Sequence, residues 1–211
     1  MSFFNLLVER DDTARISGVV VGVVTNNQDP EGLARVKVRF PWLSAEDESA
    51  WARMATPMAG NDRGLYFLPE VDDEVLVAFE HGDLRFPYVL GALWNGKDKS
   101  PADNADGKNA LRVIRSRSGH LIRLNDEDGE EKIEIIDKSE KNSIVFDTAN
   151  NTITISSDKD ISLSAPQGTI RLDARKVEIK SSTDAQFEAG AGLDVKAGAT
   201  LNIKGATVNI N

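Results

Sequence analysis

The chain contains no cysteine, which excludes disulfides, thiolate metal sites and a cysteine nucleophile. Its only histidines are His81 and His120, too few for a histidine-rich metal site within one chain. Aromatic residues make up 6% of the sequence, so a core has to be built from aliphatics. No apolar run reaches the roughly 18 to 20 residues that span a bilayer as a helix. Lys and Arg total 25 against 34 Asp and Glu, a formal charge of −9. Phosphate neutralisation needs the opposite balance, so nucleic acid is not expected as a partner. The opening MSFFNLLVERDD has neither a basic leader nor a small-residue cleavage site, and does not read as a secretory signal.

What is present differs in texture between the two halves. In the first half, residues 16–24 (ISGVVVGVV) are a β-branched run, followed by the turn formers TNNQDPEGL. In residues 34–40, Ala34, Val36, Val38 and Phe40 alternate with Arg35, Lys37 and Arg39, the period of a strand with one wet face. Residues 51–55 (WARMA), 74–80 (EVLVAFE, with Val75, Val77 and Phe79 on one face) and 86–93 (FPYVLGAL) complete five strand candidates. Short strands linked by Gly and Pro predict a small closed or partly open barrel over residues 16–97, of which the oligonucleotide/oligosaccharide-binding (OB) barrel is one solution. Residues 98–111 read as a linker.

The second half is a repeat. From Ile153 the chain divides into eights: ITISSDKD, ISLSAPQG, TIRLDARK, VEIKSSTD, AQFEAGAG, LDVKAGAT, LNIKGATV, then NIN. Each block carries an apolar–x–apolar pair and then small or polar residues. The pairs are Ile153/Ile155, Ile161/Leu163, Ile170/Leu172, Val177/Ile179, Ala185/Phe187, Leu193/Val195, Leu201/Ile203 and Val208/Ile210. Such self-similarity marks a solenoid or array. Upstream the motif recurs at longer spacing in Ile122/Leu124, Ile133/Ile135 and Ile144/Phe146, separated by charged turns such as NDEDGEE and DKSEKN. The array therefore begins near Val113 and tightens toward the C-terminus, giving a repeat region over residues 112–211.

Residues i and i+2 point to one side of a strand. The rest of each octad turns a corner, where Gly168, Gly190, Gly192, Gly198 and Gly205 fall and positive φ is cheap. An octad then forms one side of a triangular prism with aliphatics inside. The prism closes either with three octads of one chain per turn or with three intertwined chains. A single-chain coil would show a longer period marking unequal corners, and none is visible, so interchangeable octads fit threefold symmetry better. At about 4.8 Å per stacked strand, seven octads advance about 35 Å. The expected fold is all-β: a small barrel, for which the OB barrel is one solution, followed by a trimeric, intertwined β-helical needle. Its core is formed by the pairs from Ile153 to Ile210, with Phe187 the large member of its own pair.

The chain resembles the phage baseplate assembly protein V and VgrG spikes of contractile injection systems. The resemblance rests on GVVVGVVTNNQDPEGLARVKVRFPWL, SAWARMATPMAGNDRGLYFLPEVDDEVLVAFEHGD and PYVLGALWNGKDKSP. The family's pattern is filled by Asp29, Pro30, Gly32, Arg35, Trp51, Pro57, Gly60, Pro69, Glu70, Asp73, Glu74, Gly82, Asp83, Pro87, Gly91, Asn95 and Gly96. SGHLIRLND (118–126) and the octads resemble the same family's needle. The resemblance implies a homotrimer with a separate baseplate hub protein above the barrel and a separate PAAR-like tip below. It places the protein in a phage virion baseplate or injection-system particle assembled in the bacterial cytoplasm. Val208, Asn209, Ile210 and Asn211 are the expected tip interface, because a final octad leaves strand groups and an apolar column open. Phe3, Phe4, Leu6 and Leu7, in a segment (1–15) able to form a short apolar helix, are the candidate hub contacts.

Chemistry-bearing groups are sparse. Glu70, Asp72, Asp73 and Glu74 have a calcium reading, but their spacing is unlike a ligand loop, and a solvated turn is favoured. NDEDGEE (125–131) lacks the later bidentate Glu of a calcium loop and reads as a charged hairpin turn. His120 offers an axial metal, one His per chain, against a plain structural role. Ser116 and Ser118 lie near it, with no acid spaced to complete a triad. Trp42, Trp51 and Trp94 are able to stack bases or sugars, but acidic surroundings favour core or interface packing. No catalytic residue, cofactor or metal is assigned. The expected role is mechanical: a non-enzymatic, membrane-puncturing central spike driven by sheath contraction. The competing readings are a β-helical polysaccharide-degrading enzyme, which needs a groove with acids at fixed separation, and an OB-type binding module trimerised by the repeat.

Overall fold

A computed structural model describes residues 15–43 and 46–210. Phe3, Phe4, Leu6, Leu7 and Asn211 lie outside the described residues. Two units are present, the first ending at Lys159 and the second beginning at Asp160.

The first unit starts with a curled five-stranded sheet. Its strands are β1 (Val19–Asn26), β2 (Lys37–Arg39) and β3 (Arg53–Met54), then, after a two-stranded hairpin of β4 (Ala59–Gly60) and β5 (Arg63–Gly64), β6 (Glu74–Phe79) and β7 (Pro87–Ala92). Spatial order is β2-β1-β6-β7-β3. All neighbours are antiparallel except β3 and β7, which run parallel. The outer strands meet just beyond their ends. Val36 N–H donates to the Ala52 carbonyl at 3.0 Å, and Ala52 N–H donates back at 2.7 Å, so the sheet curls into an OB-like barrel.

Alternation explains the core. Val36, Val38 and Phe40 from one segment, Val75, Val77 and Phe79 from β6, and Val24, Ala52 and Val89 form the buried cluster. Burying each large aliphatic contributes about 1.5–3 kcal/mol. Gly22 is required by close approach: a β-carbon there would meet the Val38 side chain and lie 3.1 Å from the Phe40 ring. The structure departs from the sequence reading at three places. Ala34 is only half-buried and has φ of +56°, so it turns the chain into the strand instead of extending the apolar row. Of WARMA only Arg53 and Met54 form a strand, with Ala52 held in an isolated bridge to Val36. The β4–β5 hairpin was not expected, because four ladder residues carry no period.

A second sheet follows in the same unit: β8 (Leu111–Arg115), β9 (Leu121–Asn125), β10 (Lys132–Ile136), β11 (Ser143–Asp147) and β12 (Thr152–Ser156). It is an antiparallel meander, each strand beside its sequence neighbour. This differs from an intertwined array starting near Val113: these strands find ladder partners in their own chain. The physical reason is the charged inserts, which are long enough to close tight hairpins. The turns close through Gly119 N–H to Ser116 O, Glu130 N–H to Glu127 O and Glu140 N–H to Asp137 O, each at 2.9 Å.

In the second unit no described residue belongs to a strand or helix, and residues 158–210 are all exposed. Its internal hydrogen bonds are local, such as Gly168 N–H to Ala165 O at 3.1 Å and Ser181 Oγ–H to Asp184 O at 2.8 Å. None of the five octad glycines has positive φ, which corrects the expectation for the corners: the turns there are made without the left-handed region.

Candidate functional site

The candidate site is a surface, and the meander shows how it arises. Ile114, Ile122, Ile135, Ile144 and Ile155 stand opposite one another across all five strands. Beside them runs a second row, Arg112, Leu124, Ile133, Phe146 and Ile153. Period two puts both rows on one face. That face is the open one: Ile114 is 51% exposed, Ile135 46% and Ile153 66%. The other face carries the polar contacts. Arg123 Nε donates to Glu134 Oε2 at 2.6 Å across β9 and β10, and that hydrogen bond pushes the Arg123 guanidinium further up. A half-wet sheet normally turns its apolar face to a core. Here nine aliphatic and aromatic side chains in two rows face outward, an arrangement that marks an interaction surface.

The pairs of the second unit continue this state. From Ile161 and Leu163 through Ile170, Leu172, Val177, Ile179, Phe187, Leu193, Val195, Leu201, Ile203, Val208 and Ile210, every one is between 50% and 88% exposed. No described residue of the second unit lies in a ladder with its own chain.

The motif positions of the barrel are turn devices. Arg35 grips Asp29 with two prongs, Nε to Oδ2 at 2.8 Å and Nη2 to Oδ1 at 2.7 Å. Asp29 also accepts the backbone N–H groups of Glu31 and Leu33. The Arg35 side chain and then these amides hold the Asp29 carboxyl well below the usual carboxylate range. Gly32 supplies φ of +68° within the same loop. Asp73 Oδ2 accepts Glu70 N–H at 2.8 Å, and Asn95 Oδ1 accepts the N–H groups of Lys97 and Asp98. Asp83 is pulled down to about 2, chiefly by the Arg85 side chain.

The groups with a chemical reading are absorbed the same way. Glu70 and Asp73 close their turn on each other, and Glu70 Oε1 takes Arg117 Nη1 of the β8–β9 turn at 3.1 Å. Among the described residues no three His, Asp or Glu side chains gather as a metal site. Ser116 Oγ accepts His120 N–H at 3.0 Å, and His120 Nδ1 accepts Lys138 N–H at 3.3 Å, which makes these residues turn and inter-hairpin links. In 125–131, Asn125 Oδ1 accepts Glu127 N–H and Asn125 Nδ2 donates to Glu130 O, a hairpin turn. None of the three tryptophans enters the buried core. Trp51 has Arg35 and Lys37 over its ring at 5.9 and 5.6 Å. Trp42 donates to Val21 O at 3.3 Å, and Trp94 is 71% exposed. The apolar rows of the meander as a face were missed by sequence reasoning; the signal was there in the pairs, but pairs fix a side and not a partner strand.

The fold is thus an OB-like barrel whose motif residues lock turns, followed by repeats with their apolar side uncovered. Residues 20–94 match the family described as the Type VI secretion system/phage-baseplate injector OB domain. The chain is 31% identical over 112 residues to the type VI secretion system spike protein VgrG3 of Vibrio cholerae, covering 49% of this chain and 11% of that protein. It is 28% identical over 149 residues to VgrG1a of Pseudomonas aeruginosa (65% of this chain, 23% of the relative) and 30% identical over 138 residues to VgrG1b of the same organism (60% and 18%). Residues 20–94 are thus similar to an injector OB domain and the chain is VgrG-like over the matched stretches, which span between a tenth and a quarter of these relatives.

Proposed function

We propose that the protein is the central spike of a contractile phage tail or related injection machine, built as a homotrimer. The observation that carries this reading is the series of outward aliphatic pairs from Ile114 to Ile210. A lone chain in water leaves that series solvated. Three copies bury it in one shared column, each side chain then contributing about 1.5–3 kcal/mol. The product is stiff and slow to unfold, which suits a part that transmits axial force and does no covalent chemistry. In this reading sheath contraction drives the needle through the target envelope. A hub seats the barrels, a PAAR-like tip protein covers Val208, Asn209, Ile210 and Asn211, and Phe3, Phe4, Leu6 and Leu7 dock the hub. The particle assembles in the bacterial cytoplasm. The spike names of the relatives support the role. Sedimentation of the full chain at micromolar concentration tests it: a three-chain mass is expected, and a monomer overturns it. Cleavage of capsule or peptidoglycan by the purified protein would overturn the non-enzymatic part.

A further inference from the structure

The residues between and after the aliphatic pairs carry a second pattern. In the five octads whose pairs start at Ile170, Val177, Ala185, Leu193 and Leu201, the residues one and three positions past the start are Arg171 and Asp173, Glu178 and Lys180, Gln186 and Glu188, Asp194 and Lys196, then Asn202 and Lys204, whereas the pairs at Ile153, Ile161 and Val208 carry only Thr, Ser or Asn there. Period two sends both to the side opposite the aliphatics. Two octads bring the two side chains together on one side: Asp194 Oδ2 lies 3.4 Å from Lys196 Nζ, and Gln186 Nε2 lies 3.4 Å from Glu188 Oε2. The side chains of Asp194 and Lys196 are 86% and 84% exposed, with nothing from another strand against them.

Resting on the trimeric reading, we propose that these outward charges form an interchain ladder that fixes which octad of one chain lies beside which octad of the next copy. The partner of the uncovered stripe is thereby a second copy of this chain, held one octad out of step. If three chains wind together, the strands stacked on one face are octad n of one chain, octad n+1 of the next and octad n+2 of the third. Asp173 then faces Lys180 of a second copy, Lys180 faces Glu188, Glu188 faces Lys196, and Arg171 faces Glu178. Only Lys196 beside Lys204 is like-charged. If instead one chain closed its own coil, octad n would meet octad n+3. That register gives two opposite pairs, Asp173 with Lys196 and Arg171 with Asp194, and sets Lys180 against Lys204. Opposite charges facing across strands stabilise a sheet and like charges disfavour it. Four attractive rungs against one repulsive rung select the one-octad step; two against one do not. A uniform aliphatic column leaves slippage by whole octads nearly neutral, because each pair looks like the next. The charges break that degeneracy.

The absence of cysteine gives a clean test on the full chain. Adjacent strands lie about 4.8 Å apart, within the Cα separation a disulfide bridges. Asp173→Cys with Lys180→Cys, oxidised by air with a copper catalyst, should run as a covalent three-chain species without reductant and as a single chain with it. Asp173→Cys with Lys196→Cys places the thiols about 14 Å apart in the trimer, and no cross-linked trimer should form. A three-chain mass without cross-linking by the first pair overturns the register and leaves the trimer standing. A single-chain mass overturns both. The charge contribution is read separately. Lys180→Glu should lower the melting temperature of the trimer, and added Asp173→Lys, Glu188→Lys and Lys196→Glu should restore it. Unchanged melting for Lys180→Glu overturns the electrostatic basis of the ladder.

Discussion

Asp29 and Arg35 form a two-pronged ion pair that closes the loop between β1 and β2, with the Asp29 side chain 3% exposed and Arg35 17%. Arg35 in turn lies over Trp51, just before β3. One carboxylate thus ties the turn of one strand pair to the segment that closes the barrel. Substituting Asp29→Asn removes a charge-assisted pair, a stronger kind of hydrogen bond, and is expected to lower the barrel's resistance to heat at neutral pH.

The same pair predicts a pH dependence. Its carboxyl sits below its ordinary range because the Arg35 side chain, and then backbone amides, favour the charged form. A depressed native pKa means that the unfolded chain binds the proton more readily. The stabilisation is complete above the unfolded value, about 3.9. It is lost as pH falls toward the native value. Melting curves of the parent chain and Asp29→Asn should therefore differ at pH 7 and converge in strong acid. A difference that persists unchanged in acid would show that the pair is not the source.

Gly22 tests the close approach of β1 to Val38 and Phe40. Gly22→Ala pushes a methyl into the Val38 side chain, and overpacking of this kind costs about 1–3 kcal/mol. A β-carbon added at Gly96 would meet nothing within 4 Å, so Gly96→Ala is the matched control and should be near neutral. Urea unfolding of both variants separates a packing effect from a general loss of glycine.

The barrel was legible in the sequence because alternation survives folding: Val36, Val38 and Phe40, and Val75, Val77 and Phe79, make up most of the buried cluster. Asp29, Arg35, Asp73, Asn95 and the positive-φ glycines Gly32 and Gly82 were visible as motif positions, but their physical work in closing turns required coordinates. Ala34 was misplaced because alternation does not reveal a left-handed turn. The within-chain meander was illegible for a different reason. An aliphatic pair such as Ile133/Ile135 fixes which side of a strand is apolar, and nothing in it says whether the neighbouring strand belongs to the same chain. The tryptophans were hard to place because a wide ring fits a core, an interface or a cation's face equally well.

The turn between β10 and β11 carries Glu140 at φ of +60°, a conformation that costs an L-residue more than glycine. Asp137 holds this turn, its carboxyl lowered to about 2 by the Asn142 side chain and then Ser139. Glu140→Gly is expected to raise stability by up to about 1 kcal/mol, since strain relief there outweighs the entropy glycine adds to the unfolded chain. Asp137→Ala should act in the opposite direction. Equilibrium denaturation of the two variants checks the signs.

The open face of the meander gives the sharpest contrast between a lone chain and an assembly. Ile135 stands between Ile122 and Ile144 across the sheet and is 46% exposed. For a chain that works alone, Ile135→Asp exchanges a half-wet methyl surface for a solvated carboxylate and raises solubility with little loss of fold. For three copies sharing an apolar column, the same change buries a charge among aliphatics, where desolvation costs several kcal/mol per ion. Ile135→Asp should then turn a three-chain mass into a single-chain mass while the barrel's own melting transition persists. Thr154→Asp, on the opposite face of β12, adds the same charge where it stays in water and should leave the mass unchanged. A trimer that tolerates Ile135→Asp would mean that this face lies outside the shared column.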